Sequence, residues 1–212
     1  MSRFVILLAG PLVPTAGLRA HLSGVRTIAA DGGMAHAEAL GLAPELWVGD
    51  FDSSPPQLQR QYAHVPRQVY PVDKDQTDGE LALQAALARG ARELWLLGAL
   101  GGRSDQTLAH LTLALRLAKR GLQVRLSSGT EEAIPLLPGQ LGLELEGQTR
   151  LSVVGLSDLE GLSLQGVRWP LEGARVELGS SLTLSNQALG PVRITLSGGY
   201  GVVFVYPGSI GS

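Results

Sequence analysis

The stretches GDFDSS (49–54) and VDKDQTDGE (72–80) place six carboxylates, Asp50, Asp52, Asp73, Asp75, Asp78 and Glu80, in a chain whose formal net charge is only −2. Two carboxylates held about 4 Å apart repel by roughly 4 kcal/mol at an effective dielectric near 20. A fold that gathers them therefore needs a cation. Hard carboxylate oxygens, with no cysteine and no close histidine pair in the sequence, suit magnesium, which binds one or two carboxylates together with substrate phosphates. The stretch GALGGRSD (98–105) supplies the complementary feature. A glycine turn before a helix offers backbone N–H groups to a phosphate, and Arg103 adds a two-pronged donor. Magnesium bridging the aspartates to a polyphosphate held by this loop describes metal-assisted phosphoryl chemistry.

Each segment also has a purely structural reading. Thr77 and Glu80 have the spacing of a capping box, with Asp78 favourable to the helix dipole. Ser104 or Asp105 can cap the helix after the glycine turn, and ADGG (30–33) can be a left-handed turn. Capping explains neither Asp73 nor Asp75. Competing chemistries lack their signatures: there is no HExxH and no GxSxG, and His21, His36, His64 and His110 are scattered, reading as surface or helix-face residues.

The elements that must position these residues follow from the apolar pattern. Over the first 125 or so residues, short apolar runs alternate with helical stretches, as in a parallel sheet wrapped by helices. Strands are predicted at 3–10, 26–31, 44–50, 67–73, 92–100 and 123–128. Helices are predicted at 34–41, 78–90 and 104–121, the last with Leu108, Leu111 and Leu115 on one stripe. Asp31, Asp50, Asp52, the 73–78 group and the 98–105 loop then all follow strands, at the edge where open α/β sheets bind ligands. From Ala133 to Gly208 the helical period disappears. Short β-like runs at 141–147, 150–155, 161–166, 174–178, 180–185, 192–197 and 201–206 read as an antiparallel sandwich or small barrel. The predicted domains are 1–130 and 131–212.

Composition narrows the class. A hydrophobic fraction of 44% fills a core, and the near-neutral charge lacks the basic patch of a nucleic-acid partner. Without cysteine, disulfides and thiolate zinc sites are excluded. The apolar start MSRFVILLAGPLVP reads as a buried first strand, not a secretion signal, and no run reaches the ~18 apolar residues of a membrane span. A cytoplasmic protein is expected. Of only two lysines, Lys74 lies inside the acidic motif and Lys119 elsewhere.

In this order and spacing, ADGGMAHAEALGLAPELWVGDFDSS, DKDQTDGELAL and GALGGRSDQTLAHL resemble the thiamin pyrophosphokinase family, and GLSLQGVRWPL with SSLTLSN resembles its C-terminal segments. The resemblance covers nearly the whole chain. It implies transfer of a diphosphate from ATP to the hydroxyl of thiamin, leaving AMP. It also implies a Rossmann-like α/β catalytic domain, a C-terminal all-β sandwich and a homodimer whose active sites draw on both subunits. On the matching positions it implies Asp50, Asp52, Asp73, Asp75 and Asp78 as the acidic group that binds Mg2+, with Asp50, Asp52, Asp75, Asp78 and Arg103 in catalysis. Asp31, Thr77, Gly101, Gly102, Arg103 and Asp105 would contact ATP, and Trp169, Ser185 and Asn186 would hold thiamin. A Trp face attracts a cationic thiazolium by about 0.5–2 kcal/mol, and Ser and Asn can hydrogen-bond an aminopyrimidine edge; Trp169 also reads as a core aromatic. The family usually has His where this chain has Gln106, so nucleotide preference is open.

Three other readings share parts of this pattern: a related pyrophosphokinase acting on a pterin alcohol, a phosphoaspartate phosphatase with Asp50 as nucleophile, and a sensor that binds thiamin diphosphate. The β-rich second half offers the phosphatase no late acidic pair.

Overall fold

The computed structural model describes residues 2–52, 54–71 and 75–208. The fold is mixed α/β, and the chain divides into two compact units, Met1–His110 with Leu122–Gly129 and Leu111–Gly121 with Thr130–Ser212.

In the first unit six strands pair only in parallel: β1 (Ser2–Leu7), β2 (Arg26–Ala30), β3 (Leu46–Gly49), β4 (Arg67–Val69), β5 (Ala91–Leu97) and β6 (Gln123–Ser127). Their order is β4-β3-β2-β1-β5-β6. The sequence direction reverses at β1, so the chain leaves β1 and β5 toward opposite sides, the arrangement that opens a crevice at the carboxyl edge. Phe4, Val5, Ile6, Leu7, Ile28, Trp47, Leu94 and Leu97 are fully buried, as expected for strands covered on both faces. Gly10 and Gly98 bring the loops after β1 and β5 into backbone contact: a Cβ on Gly10 would lie 2.3 Å from the Gly98 carbonyl oxygen.

Short helices α1 (Ala16–His21), α2 (Ala37–Leu40) and α3 (Pro56–Gln61) punctuate the connections, and a 3-10 helix, Asp31–His36, precedes α2. The predicted helix at 34–41 is thus a 3-10 turn followed by one α-turn, closed by Gly41 in the left-handed region at φ 67°. Helix α4 (Asp78–Ala88) lies against β1, β2, β3 and β5 through a face that includes Leu81, Ala82, Leu83, Ala85 and Ala86. Helix α5 (Ser104–Ala118) belongs to the first unit as far as His110 and to the second from Leu111. Leu111, Ala114, Leu115 and Leu117 form its buried stripe, while Leu108 is exposed.

The second unit pairs β7 (Glu132–Leu136), β8 (Gly139–Leu143), β9 (Arg150–Gly155), β10 (Leu159–Val167), β11 (Leu171–Val176), β12 (Asn186–Leu196) and β13 (Gly201–Tyr206) in antiparallel fashion. Asn186 and Gln187 at the start of β12 pair with β9, whereas Val192–Leu196 pair with β8. Gly190 and Pro191 stand between these ladders, where the missing proline N–H interrupts pairing. Gly166 of β10 lies opposite this break at φ 76°, and a Cβ there would meet the Pro191 carbonyl oxygen at 2.1 Å. Leu136, Leu151, Val153, Leu159, Leu162, Leu164, Ala188, Ile194 and Val203 fill the core these strands enclose.

Candidate active site

Asp31 follows β2 directly and opens the 3-10 helix with φ 39°, in the left-handed region. Gly33 makes this tight turn possible, since a Cβ there would sit 2.2 Å from the Leu7 carbonyl oxygen. Two donors fix Asp31. The Trp47 indole N–H donates to its carbonyl oxygen at 2.9 Å, and the Ser54 hydroxyl donates to its Oδ1 at 2.9 Å. Ser54 itself is buried.

Asp50 leaves the end of β3. The next residue, Phe51, takes φ 62° and turns its ring inward, edge-on to Trp47 at 4.9 Å between centroids. The Arg67 guanidinium lies over both rings, 4.9 Å from Trp47 and 5.1 Å from Phe51. Gln59 Nε2 donates to the carbonyls of Phe51 and Ser54 at 3.2 and 2.9 Å, while Arg67 donates to the Gln59 carbonyl at 2.8 Å. A packed aromatic–guanidinium stack thus holds the loop that aims Asp50. The backbone N–H of Asp52 donates to Asp50 Oδ1 at 3.3 Å, and the Asp52 side chain is exposed.

Asp78 is the first residue of α4. Thr77 caps it: the Glu80 N–H donates to Thr77 Oγ1 at 3.2 Å, and the Thr77 N–H donates to Glu80 Oε2 at 3.3 Å. The capping reading of Thr77 and Glu80 describes what both side chains do in this structure. Asp78 Oδ1 is buried from solvent.

Three segments distant in sequence therefore converge. Asp31, Asp50 and Asp78, all half-buried, offer one carboxylate oxygen each, and these oxygens lie within 4.8 Å of one another. Their donor chemistry is all hard oxygen, which fits a divalent cation such as magnesium. Asp52 and Asp75 are exposed and stand outside this group among the described residues. Asp73, with Lys74, lies outside the described residues.

The neighbouring loop follows β5. Gly98 and Gly101 both have φ 74°, and Ala99 and Leu100 are buried. A ring nitrogen of His110 donates to the Ala99 carbonyl and one of His36 to the Gly10 carbonyl, each at 3.0 Å. These two histidines brace the edge, a role no local sequence pattern indicates. A Cβ added to Gly101 would meet open space, and one on Gly102 would touch Pro11 at 3.3 Å. Arg103 binds Asp105 in bidentate fashion, Nη2 to Oδ2 at 2.6 Å and Nε to Oδ1 at 3.2 Å, with both side chains largely exposed. Hydrogen bonds from Arg103, and then from the Gln106 backbone N–H, hold the Asp105 carboxyl below the usual carboxylate range. Gln106 is exposed in the first turn of α5.

In the second unit, Trp169 is 55% exposed, with the Arg168 guanidinium 4.9 Å from its ring centroid. Asn186 is buried beside it, and its amide closes a reciprocal pair with the Trp169 backbone. Trp169 N–H donates to Asn186 Oδ1 at 3.2 Å, and Asn186 Nδ2 donates to the Trp169 carbonyl at 2.8 Å. Ser185 takes φ 56°, and its N–H donates to Ser152 Oγ at 2.9 Å. The Asn186 side chain thus positions an exposed indole.

A parallel sheet with carboxylates and a glycine–arginine loop at its carboxyl edge is an arrangement suited to a transferase of the kinase type. The family profile "Thiamin pyrophosphokinase, catalytic domain" matches residues 23–126, and "Thiamin pyrophosphokinase, vitamin B1 binding domain" matches residues 141–200. The chain belongs to the thiamin pyrophosphokinase family and has that family's enzyme activity. It is 33% identical over 153 residues to the thiamine pyrophosphokinase of Bacillus subtilis (strain 168), an alignment covering 70% of this chain and 72% of that protein. The crystal structure of thiamine pyrophosphokinase from Bacillus subtilis matches with a TM-score of 0.86 at 28% identity, covering 97% of this chain and 99% of that one. That of thiamin pyrophosphokinase from Geobacillus thermodenitrificans gives 0.81 at 26% identity, covering 99% of each.

Proposed function

We propose that the chain transfers a diphosphate from ATP to thiamin through a Rossmann-like domain spanning residues 1–130 and a β-sandwich spanning residues 131–212, acting as a cytoplasmic homodimer. The convergence of the Asp31, Asp50 and Asp78 carboxylates within 4.8 Å is the observation that carries this reading. Three half-buried acids at that separation repel strongly unless a cation joins them. Bound Mg2+, held by Asp31, Asp50 and Asp78, supplies positive charge that offsets the phosphoryl oxygens.

The thiamin hydroxyl oxygen attacks the β-phosphorus of ATP in line. A new O–P bond forms, the bridge between the α- and β-phosphates breaks, and AMP departs with the bridging oxygen. One aspartate of the GDFD and DQTD segments, Asp50, Asp52, Asp75 or Asp78, accepts the hydroxyl proton. Arg103 exchanges its exposed partner Asp105 for phosphoryl oxygens, with the Gly101–Gly102 backbone beside it. Thr77 fixes the start of α4 and hence the aim of Asp78. Trp169 meets the thiazolium face, and Ser185 with Asn186 completes the thiamin site, Asn186 by holding the Trp169 backbone. Catalysis rests on positioning and electrostatics.

Replacing Asp78 with Asn tests the reading. With thiamin and Mg-ATP, release of AMP is expected to fall by about 100-fold or more. Turnover near wild type in Asp78→Asn would remove this carboxylate from the chemistry. A pterin alcohol in place of thiamin should yield no AMP.

A further inference from the structure

The final turn of α5 and the residues after it carry Arg116, Lys119 and Arg120, spaced three and four apart and so on one side of the helix. They line an open surface cavity of about 600 Å³ in the second unit, together with Thr112, Leu115, Leu156 and Tyr200. That volume is ordinary for a small-molecule site. No carboxylate is among its described lining residues. Lys119 Nζ stands 3.8 Å from the centroid of the Tyr200 ring, a cation–π contact that covers one face of the ring and holds the ammonium at the cavity both residues line. Cations in a last helical turn complement the helix dipole, which accounts for their sign. It does not account for an aromatic and two leucines gathered beside the same open cavity. The cavity shares no residue with the acidic group and has the opposite charge.

We propose that this cavity binds a ring-bearing organic phosphate of nucleoside monophosphate size. Its phosphate sits among Arg116, Lys119 and Arg120, and its ring lies along Leu115, Leu156 and Tyr200. Three cations select the phosphate, and the apolar wall selects against a bare inorganic ion. Both products of the proposed reaction, AMP and thiamin diphosphate, have this chemistry. The choice of probes rests on that reading, and the site does not.

Lys119 is one of two lysines in the chain, which makes it its own reporter. Acetylation of the full-length protein by an amine-reactive reagent, read residue by residue by mass spectrometry, gives the Lys119 rate with AMP, thiamin diphosphate, adenosine or inorganic phosphate present. The Lys119 rate is expected to slow about tenfold at a ligand concentration near ten times its Kd. Separate arms decide whether AMP or thiamin diphosphate is the tighter ligand, while adenosine leaves the rate unchanged. Arg120→Gln, at an exposed position, should raise the ligand concentration required. Asp78→Asn should retain full protection, so failure of the proposed catalytic site leaves this result intact. An unchanged Lys119 rate at millimolar AMP and thiamin diphosphate would overturn the proposal. So would protection by inorganic phosphate equal to that by the ring-bearing ligands, or loss of protection in Asp78→Asn.

Discussion

Single carboxylates in this chain acquire their roles from neighbours that hydrogen-bond or stack against them. Asp50 and Asp78 stand out in the sequence because their motifs are dense in acid. Asp31, a nucleotide contact by resemblance, reaches the same three-carboxylate group because β2 and β3 lie side by side, and the Ser54 hydroxyl fixes its carboxylate by donating to Oδ1. Nothing in the spacing of residues 31 and 54 signals that bond. Asp105 makes the same point in measurable form. Its carboxyl is held below the usual carboxylate range, first by Arg103 and then by the Gln106 backbone N–H. A depressed folded-state value means that the stability it contributes is present above the unfolded-state value and is lost as pH falls through the folded one. At neutral pH the pair is fully ionised, and an incoming phosphate competes with the Asp105 carboxylate for the Arg103 guanidinium. Titration of the Asp105 carboxyl carbon by NMR should give a midpoint below the ordinary value of about 3.9. In Arg103→Gln the midpoint should rise toward that value. A wild-type midpoint at or above the ordinary value would mean the ion pair does not form in solution.

At the level of elements, strands and long helices were legible because burial on both faces produces unbroken apolar runs and α4 carries its own capping box. Helices α1 and α3, six residues each, are too short to show a period. The run SSLTLS misleads for a different reason. Its alternation predicts a strand at 180–185, yet the segment is a turn with Leu182 and Leu184 exposed and Thr183 buried. Thr183 is drawn inward by polar bonding: its hydroxyl donates to the Val153 carbonyl at 2.6 Å, and the Val153 N–H donates to the Thr183 carbonyl at 3.0 Å. The alternation there reflects hydrogen bonds, not an apolar face. Asn186 ends this segment and clamps Trp169 to the start of β12. Asn186→Ala would leave a donor and an acceptor of the Trp169 backbone without that partner, and such losses cost about 1–3 kcal/mol. Urea denaturation should show a loss of that size. Steady-state assays should show a raised KM for thiamin with kcat less affected, because the indole is displaced while the acidic group is untouched. An unchanged KM would limit Asn186 to a structural role.

The distribution of apolar surface bears on the whole molecule. Among the described residues, the exposed large hydrophobic side chains are concentrated in the second unit: Trp169, Leu178, Leu182, Leu184 and Leu189, against Val13, Val69 and Leu108 elsewhere. Side chains of this kind are what the proposed homodimer would cover, since stable interfaces remove about 1,200–2,000 Å² from water around aromatic and aliphatic anchors. The chain of 22.3 kDa should then sediment at twice its mass, and Leu182→Glu should return it to a single chain. Mixing two damaged proteins goes further, because it asks whether each active site is built from both subunits. In a mixed dimer of Asp78→Asn with Trp169→Ala, a site composed across the dimer pairs intact acids from one chain with the intact indole of the other, and one of its two sites is whole. Random exchange makes half the dimers mixed, so activity at thiamin well below KM should recover to about one quarter of wild type. A site contained within one chain has no such route, because every mixed dimer then carries one lesion per site. Recovery no greater than the sum of the two variants alone, under conditions where subunit exchange is verified, would place acids and indole of each site on the same chain.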